Sequence, residues 1–207
     1  MLYPIQFIID VLFPPSVHGF TLRHVTKKRF ACWYRPQDSE GVICLSPYTL
    51  PEVQAAITAC KFEHNYQAAK LLSILIEEYL RTLPVKQTLI IPVPLSAKRQ
   101  RQRQFNQVER VLHCIKNLPS HYRICNSLVL RALHTQPQTS LNRAERLKNI
   151  HGAFTLHKKN MYHLENIERV ILCDDVMTTG ATLREVKTVL AQHLSKNVEI
   201  ICVAWAH

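Results

Sequence analysis

Continuous apolar runs alternate with helical patterns from residue 88 onward, and this alternation restricts the fold more than any other feature. Residues 89–93 and 170–173 contain no charged or polar side chain, which is typical of strands that are buried on both faces. Further strands are predicted over residues 127–131 and 198–205, and helices over residues 105–116 and 181–194. Strands that alternate with helices in this way form a doubly wound parallel sheet, so the predicted fold class is α/β.

The first 47 residues differ from the rest because five prolines interrupt short apolar pieces. We therefore predict an irregular N-terminal appendage over residues 1–47 and one domain over residues 48–207. That domain is predicted to begin with a helix at Pro51 and a second helix over residues 67–80.

Composition favours a basic intracellular protein. Lys and Arg number 26 against 15 acids, a net charge of +11, which attracts polyanions or phosphorylated small molecules. The seven cysteines are scattered, odd in number and without a C-x-x-C pair, which indicates reduced thiols. No apolar stretch approaches the roughly 20 residues of a membrane helix, and no secretory signal is recognisable. We expect a cytoplasmic protein without membrane insertion.

Residues 168–182, E-R-V-I-L-C-D-D-V-M-T-T-G-A-T, carry the strongest chemical signal. A buried strand delivers two adjacent carboxylates, Asp174 and Asp175, to the edge of the sheet where ligands of such folds bind. Two neighbouring acids at that place need compensation from hydroxyls, backbone amides or a cation. The pattern therefore predicts a site for a diol or a metal ion.

A short turn follows the two acids and leads directly into a helix. It contains Thr178, Thr179, Gly180, Ala181 and Thr182. Backbone amides, hydroxyls and a helix N-terminus in one place make a phosphate cradle, and glycine lets the backbone approach the anion closely. A ribose 5-phosphate would suit both halves of the segment. The structural alternative is a capped helix in which the threonines are ordinary N-caps.

This segment resembles the phosphoribosyl pyrophosphate (PRPP) motif of type I phosphoribosyltransferases. The wider chain resembles the ComF family (ComFC/GntX-like), which comprises competence-associated, amidophosphoribosyltransferase-like proteins. The resemblance also rests on I-P-V-P-L at 91–95, Lys98-Arg99, F-N-Q at 105–107, C-K-F at 60–62 and Q-x-x-L…E-R…N…G-A-F over 138–154. It extends from about residue 45 to the C-terminus.

The resemblance implies roles for particular residues. The 5-phosphate of PRPP would bind at Thr178, Thr179, Gly180, Ala181 and Thr182, and the pyrophosphate at Leu95, Ser96, Ala97, Lys98 and Arg99. Asp174 and Asp175 would hold the ribose hydroxyls or Mg²⁺ and take part in catalysis. Arg143 and Arg146 would lie on the catalytic loop that closes over PRPP in enzymes of this fold.

The basic cluster after residue 97 admits three interpretations. Arg101 and Arg103, with Lys98 and Arg99, either neutralise pyrophosphate, follow a nucleic-acid backbone, or form the solvated start of a helix. Phe105 is either a platform for base stacking or a core aromatic. We assign Arg101, Arg103 and Phe105 to nucleic-acid binding.

One departure from the family concerns zinc. Many members begin with a four-cysteine zinc ribbon, but Ser16 and Gly19 occupy the places of the first cysteine pair. Cys32 and Cys44 do not restore ligand spacing, even with a nearby histidine. We therefore do not expect zinc.

The resemblance implies a PRPP-binding protein of natural transformation that handles single-stranded DNA in the cytoplasm, with DNA-uptake or recombination proteins as partners. The alternative is an active phosphoribosyltransferase of nucleotide salvage, which transfers ribose 5-phosphate from PRPP to an unknown acceptor. The sequence leaves open whether catalysis is retained.

Overall fold

Strands and helices alternate along the part of the chain that the computed structural model describes, residues 16–131 and 151–207. In chain order these elements are α1 (Val17–Leu22), α2 (Lys27–Ala31), β1 (Gln37–Ser39), β2 (Val42–Ser46), α3 (Pro51–Phe62), α4 (Tyr66–Thr82), β3 (Thr88–Pro92), α5 (Ala97–Arg103), α6 (Gln107–Leu112), β4 (Tyr122–Ile124), β5 (Val129–Arg131), β6 (Phe154–Leu156), a 3-10 helix (Lys158–Leu164), β7 (Arg169–Val176), α7 (Ala181–Ala191) and β8 (Glu199–Ala206).

The central sheet has the strand order β1-β2-β8-β7-β3-β4, and every neighbouring pair in it is parallel except β1–β2. A separate antiparallel pair joins β5 to β6. The predicted α/β class with a parallel, helix-flanked sheet is confirmed. Strand β7 lies between β8 and β3, so the residues at its carboxyl end are placed at the middle of the sheet.

The two faces of the sheet pack into two separate cores. Ile171 and Cys173 of β7 belong to the core that includes α3, α4 and α6, whereas Val170 and Leu172 belong to the core that includes α7 and the β5–β6 pair. This division follows from the alternation of side chains along a strand, which sends successive residues to opposite faces. Both cores are built mainly from buried apolar side chains, as two-sided parallel strands require.

Residues 37–46 correct the prediction for the N-terminal segment. They form β1 and β2, and β2 pairs in parallel with β8 through Val42↔Cys202 and Ser46↔Ala206. The segment is therefore not irregular there, because its apolar run V-I-C-L extends the main sheet. The division of the chain at residue 47 stays a prediction.

Residues 97–103 lie outside the predicted helices, and here the structure differs from the prediction a second time. They form the helix α5, whose N-cap is Ser96 and which has no buried residue. The chain then turns at Gln104, which has a left-handed φ of 61°, and continues as the separate helix α6. The single predicted helix over residues 105–116 is therefore shorter and starts later.

Candidate functional site

Asp174 and Asp175, the acid pair, lie within the last three residues of β7. Because the strand continues to Val176, consecutive side chains lead to opposite faces of the sheet. The Asp175 amide donates to Asp174 Oδ1 at 2.8 Å, and the Val176 amide donates to Asp175 Oδ1 at 2.6 Å. Withdrawal from water and the adjacent Asp175 carboxylate raise the pKa of Asp174 above its ordinary value. A cation or a hydroxyl donor bound next to Asp174 would therefore stabilise its charged carboxylate.

Asp175 finds its partners in the helical layer around α3 and α6. Lys61 Nζ lies 3.0 Å from Asp175 Oδ2, and the two side chains are only 17% and 19% exposed. Gln107 Nε2 donates to the same oxygen. Arg103 Nη1 donates to Gln107 Oε1 at 3.0 Å, so α5 is linked to the acid pair through Gln107. These contacts make Lys61 and Gln107 part of the site, although neither is among the residues predicted to form it.

The predicted phosphate cradle, residues 178–182 (the threonine turn), follows β7 directly. Thr178 is exposed and Thr179 and Thr182 are half-buried, whereas Gly180 and Ala181 are buried, so the turn is open to a ligand on the side of its threonines. Gly180 adopts φ 64° and caps α7, and Thr179 Oγ1 accepts from the Ala181 amide at 3.4 Å. The first turn of any α-helix leaves amides without a carbonyl partner, and these amides can receive an anion.

Arg184 fixes the backbone of the threonine turn. One guanidinium nitrogen, Nη2, donates to the Thr179 carbonyl, and Nη1 donates to Glu40 Oε2 at 3.3 Å. A Cβ added at Gly180 would lie 2.8 Å from Arg184 Nη1. The guanidinium therefore packs against the glycine, a contact that no pattern in the sequence indicates.

The predicted pyrophosphate segment, residues 95–99, leads into helix α5, with Ser96 as the N-cap. Ser96 Oγ accepts from the Arg99 amide at 3.4 Å. Just before it, the Val93 amide donates to the Cys173 carbonyl at 2.8 Å, which ties this segment to β7 beside the acid pair. Its role in holding pyrophosphate stays a prediction.

Arg131, at the end of β5, is a further cation near the acid pair. Burial lowers the pKa of its guanidinium, the charge of Arg99 adds to the lowering, and Asp174 opposes it. The guanidinium carbon lies 5.2 Å from the centre of the Phe154 ring. Among the described residues, Arg131 Nε is buried without a hydrogen-bond partner. A buried donor that has no hydrogen-bond partner and interacts electrostatically with both Arg99 and Asp174 is suited to bind an anionic ligand.

Arg143 and Arg146 lie outside the described residues, and their assignment stays a prediction.

The three residues assigned to nucleic acid do not share one surface. Arg101 is exposed, and its Nε donates to the Ala97 carbonyl at 3.3 Å. Arg103 is half-buried and faces inward to Gln107, while its guanidinium carbon also lies 4.9 Å from the centre of the exposed Phe62 ring. Phe105 packs against Arg110 and His64 instead. Their joint assignment stays a prediction, and Arg103 is linked to Asp175 through Gln107.

For metals, residues 16–131 and 151–207 contain no group of three or more His, Cys, Asp and Glu side chains arranged to hold an ion. Cys32 is exposed and Cys44 is buried, and both are free thiols. Within the same residues, no helix has the length and apolar character needed to cross a bilayer.

The parallel sheet with an acid pair and an open threonine turn at the end of its central strand defines the type I phosphoribosyltransferase-like class of fold. No family model matches the chain. Among curated proteins, competence protein F of Haemophilus influenzae is 30% identical over 188 residues, which cover 86% of this chain and 79% of that protein. The chain therefore belongs to the ComF family.

Two other relatives support the same family. DNA utilization protein YhgH of Salmonella typhi is 27% identical, with 83% of this chain and 75% of that protein covered. Competence protein ComFC of Bacillus subtilis is 32% identical over 105 residues, 51% of this chain and 39% of that protein.

Proposed function

We propose that this protein binds PRPP together with Mg²⁺ at the carboxyl end of β7, and that it serves DNA uptake by handling single-stranded DNA in the cytoplasm. The observation that carries the PRPP proposal is the acid pair next to the open threonine turn. One half of this arrangement suits a phosphate and the other a sugar diol, a few residues apart on the same strand-turn-helix unit.

Different residues of the site would bind different parts of PRPP. The amides and hydroxyls of the threonine turn would receive the 5-phosphate, while Arg184 holds that turn in shape. Asp174 would accept hydrogen bonds from the ribose hydroxyls, because its Oδ1 is bonded to a backbone amide and no described residue donates to its Oδ2. Arg99 and Arg131 would attract the pyrophosphate, and Arg143 and Arg146 would close over it.

The donor set fits Mg²⁺. This ion is usually held by one or two carboxylates together with substrate oxygens and water, so three protein ligands are not needed. Asp174 offers an oxygen, whereas Asp175 Oδ2 is already engaged by Lys61 and Gln107. Mg²⁺ would therefore be held mainly through Asp174 and the ligand, and it would neutralise pyrophosphate charge. Asp175 would position Lys61 at the edge of the site.

The DNA-uptake part of the proposal has separate support. Relatives at 26–32% identity carry the names competence protein and DNA utilization protein. The net charge of +11 suits a polyanionic partner, because neutralising phosphates with Lys and Arg releases counterions. PRPP binding and DNA handling are compatible, since the first uses the end of the sheet and the second needs an exposed basic surface.

Calorimetric titration tests the PRPP proposal. The native chain should bind PRPP in the presence of Mg²⁺ and lose most of that affinity when the ion is chelated. Replacing both Asp174 and Asp175 by alanine should abolish Mg²⁺-dependent binding, because both the hydroxyl acceptor and the partner of Lys61 are removed. Far-UV circular dichroism should show that the fold is retained, since both side chains are only partly buried and alanine preserves the backbone pairing of β7.

A matched control is Glu165→Ala, which removes an exposed acid beyond the 3-10 helix. Its titration should equal that of the native chain. Undiminished PRPP binding by the double variant, or equal loss in the control, would contradict the assignment. Release of pyrophosphate from PRPP in the presence of mixed bases and amines would instead identify the alternative, an active transferase.

A further inference from the structure

A groove of about 590 Å³ lies between α5, α6 and the connection from α3 to α4. Its wall combines aromatic, amide and cationic side chains: His64, Tyr66, Gln100, Gln104, Phe105, Asn106, Glu109, Arg110 and His113. Its volume falls within the ~300–1,000 Å³ of ordinary ligand sites. The groove is thus large enough for a ligand, and neither the PRPP proposal nor the fold uses it.

Ring and guanidinium side chains in close contact form one wall of this groove. The Arg110 guanidinium carbon lies 3.6 Å from the centre of the Phe105 ring, and the His64 ring centre lies 4.6 Å from it with the two rings inclined by 48°. Tyr66, 57% exposed, stands on the same side with Lys70 Nζ 4.4 Å from its ring centre. Planar guanidinium and aromatic faces in this arrangement are what nucleic-acid bases stack on.

The charge of the groove also suits a phosphate backbone. Arg110 and Lys70 carry its permanent cations, and Arg101 lies on the adjoining face of α5. Glu109 is the acid among the lining residues, and burial raises the pKa of its carboxyl. Exposed Gln100 and Gln104 add amide donors and acceptors that can reach base edges.

Helix α5 lies between the groove and the acid pair. One of its faces lines the groove, and the neighbouring face is directed to the acid pair. Gln100 and Gln104, four residues apart, line the groove. Arg99 and Arg103, also four residues apart, lie on the neighbouring face, from which Arg103 reaches Gln107 and Arg99 acts on Asp174. A ligand in the groove would therefore lie next to the sugar-phosphate site without occupying it.

We propose that this groove binds single-stranded nucleic acid, with one base stacked on the Arg110–Phe105–His64 tier and a neighbouring base on Tyr66. This inference rests on the proposed DNA-handling function and assigns its binding surface. Compared with the assignment made from the sequence, Arg110 takes the place of Arg103 and Phe105 is retained. Arg101 would contact the phosphate backbone of the nucleic acid. A duplex would not fit, because its bases are already stacked on each other.

Fluorescence anisotropy with a labelled oligothymidylate tests this surface. Tyr66→Ala should weaken binding about fivefold or more, the lower range for the loss of one stacked base. The matched control is Tyr162→Ala on the 3-10 helix, which removes a tyrosine that is also 57% exposed and should leave binding unchanged.

A second variant separates stacking from charge. Arg110→Lys keeps the cation but loses the planar guanidinium, so affinity should fall while the slope of log affinity against log salt stays the same. Arg81→Lys, on α4 away from the groove, is its control and should change neither quantity. A duplex of equal length should compete poorly with the labelled single strand.

The outcomes distinguish this inference from the PRPP proposal. If Tyr66→Ala and Arg110→Lys bind the oligonucleotide as the native chain does, or if duplex competes equally well, the groove assignment is overturned. If the native chain binds PRPP but no oligonucleotide, the groove assignment falls and the PRPP proposal stands. If PRPP fails to bind while the two variants lose oligonucleotide affinity, the groove assignment stands alone.

Discussion

Replacing Gly180 by alanine tests how the threonine turn is held. The left-handed backbone at Gly180, φ 64°, costs a non-glycine residue about 1–2 kcal/mol. Reduced freedom of the unfolded chain offsets about 0.4–1 kcal/mol of this. A net loss of about 1 kcal/mol in the free energy of unfolding follows from the backbone alone.

Contact with Arg184 adds to this cost. The new Cβ would lie 2.8 Å from Arg184 Nη1, so the guanidinium must move and weaken its bond to the Thr179 carbonyl. Losing a hydrogen bond from a charged donor costs about 1.5–3 kcal/mol when complete, and the long side chain can recover part of it. We expect Gly180→Ala to be about 2 kcal/mol less stable than the native chain and to bind PRPP at least tenfold more weakly.

Gly41→Ala is the matched control, because Gly41 has φ 79° and no atom within 4 Å of the added Cβ. It should lose about 1 kcal/mol of stability and no PRPP affinity. Urea denaturation measures the first quantity and calorimetry the second. If Gly180→Ala and Gly41→Ala bind PRPP equally well, the contact between Arg184 and the threonine turn does not shape the phosphate site.

Two further predictions concern single charges. Arg103→Gln should weaken PRPP binding about fivefold, whereas Arg101→Gln should leave it unchanged in the same titration; equal effects would refute the inward placement of Arg103. Glu199→Gln should lower stability by about 1 kcal/mol at neutral pH, because buried Arg169 loses a charged partner. Hydrogen bonds from Lys86 and then Arg169 lower the pKa of Glu199. The difference in the free energy of unfolding between the native chain and Glu199→Gln should therefore vanish as the pH falls through that lowered value. A difference that persists when the two chains are unfolded in acid would contradict this.

The sequence predicted the strands and helices that carry a clear period. Strand β7 and helix α7 were predicted within a few residues, because continuous apolar runs and helical spacing are strong local signals. Helix α5 was missed since A-K-R-Q-R-Q-R contains no apolar periodicity, although Ser96 and good helix formers were present. Strands β4 and β6 are three residues each, too short for a period to appear.

The sequence could group candidate site residues only where they are adjacent in the chain. Asp174, Asp175 and the threonine turn follow one another, so their spacing was informative. Lys61 at the end of α3 is indistinguishable by sequence from a solvated lysine, and its pairing with Asp175 depends on how α3 packs across the sheet. Because β7 continues to Val176, the side chains of Asp174 and Asp175 lie on opposite faces of the sheet. This placement follows from the register of the strand and could not be derived from composition.

A crystal structure of the protein with PRPP and Mg²⁺ tests the central claim most directly. The account predicts electron density for the 5-phosphate against the backbone amides of residues 178–182, with a ribose hydroxyl at hydrogen-bonding distance from Asp174. Density for PRPP elsewhere, or crystals soaked at saturating PRPP with no density at this turn, would contradict it.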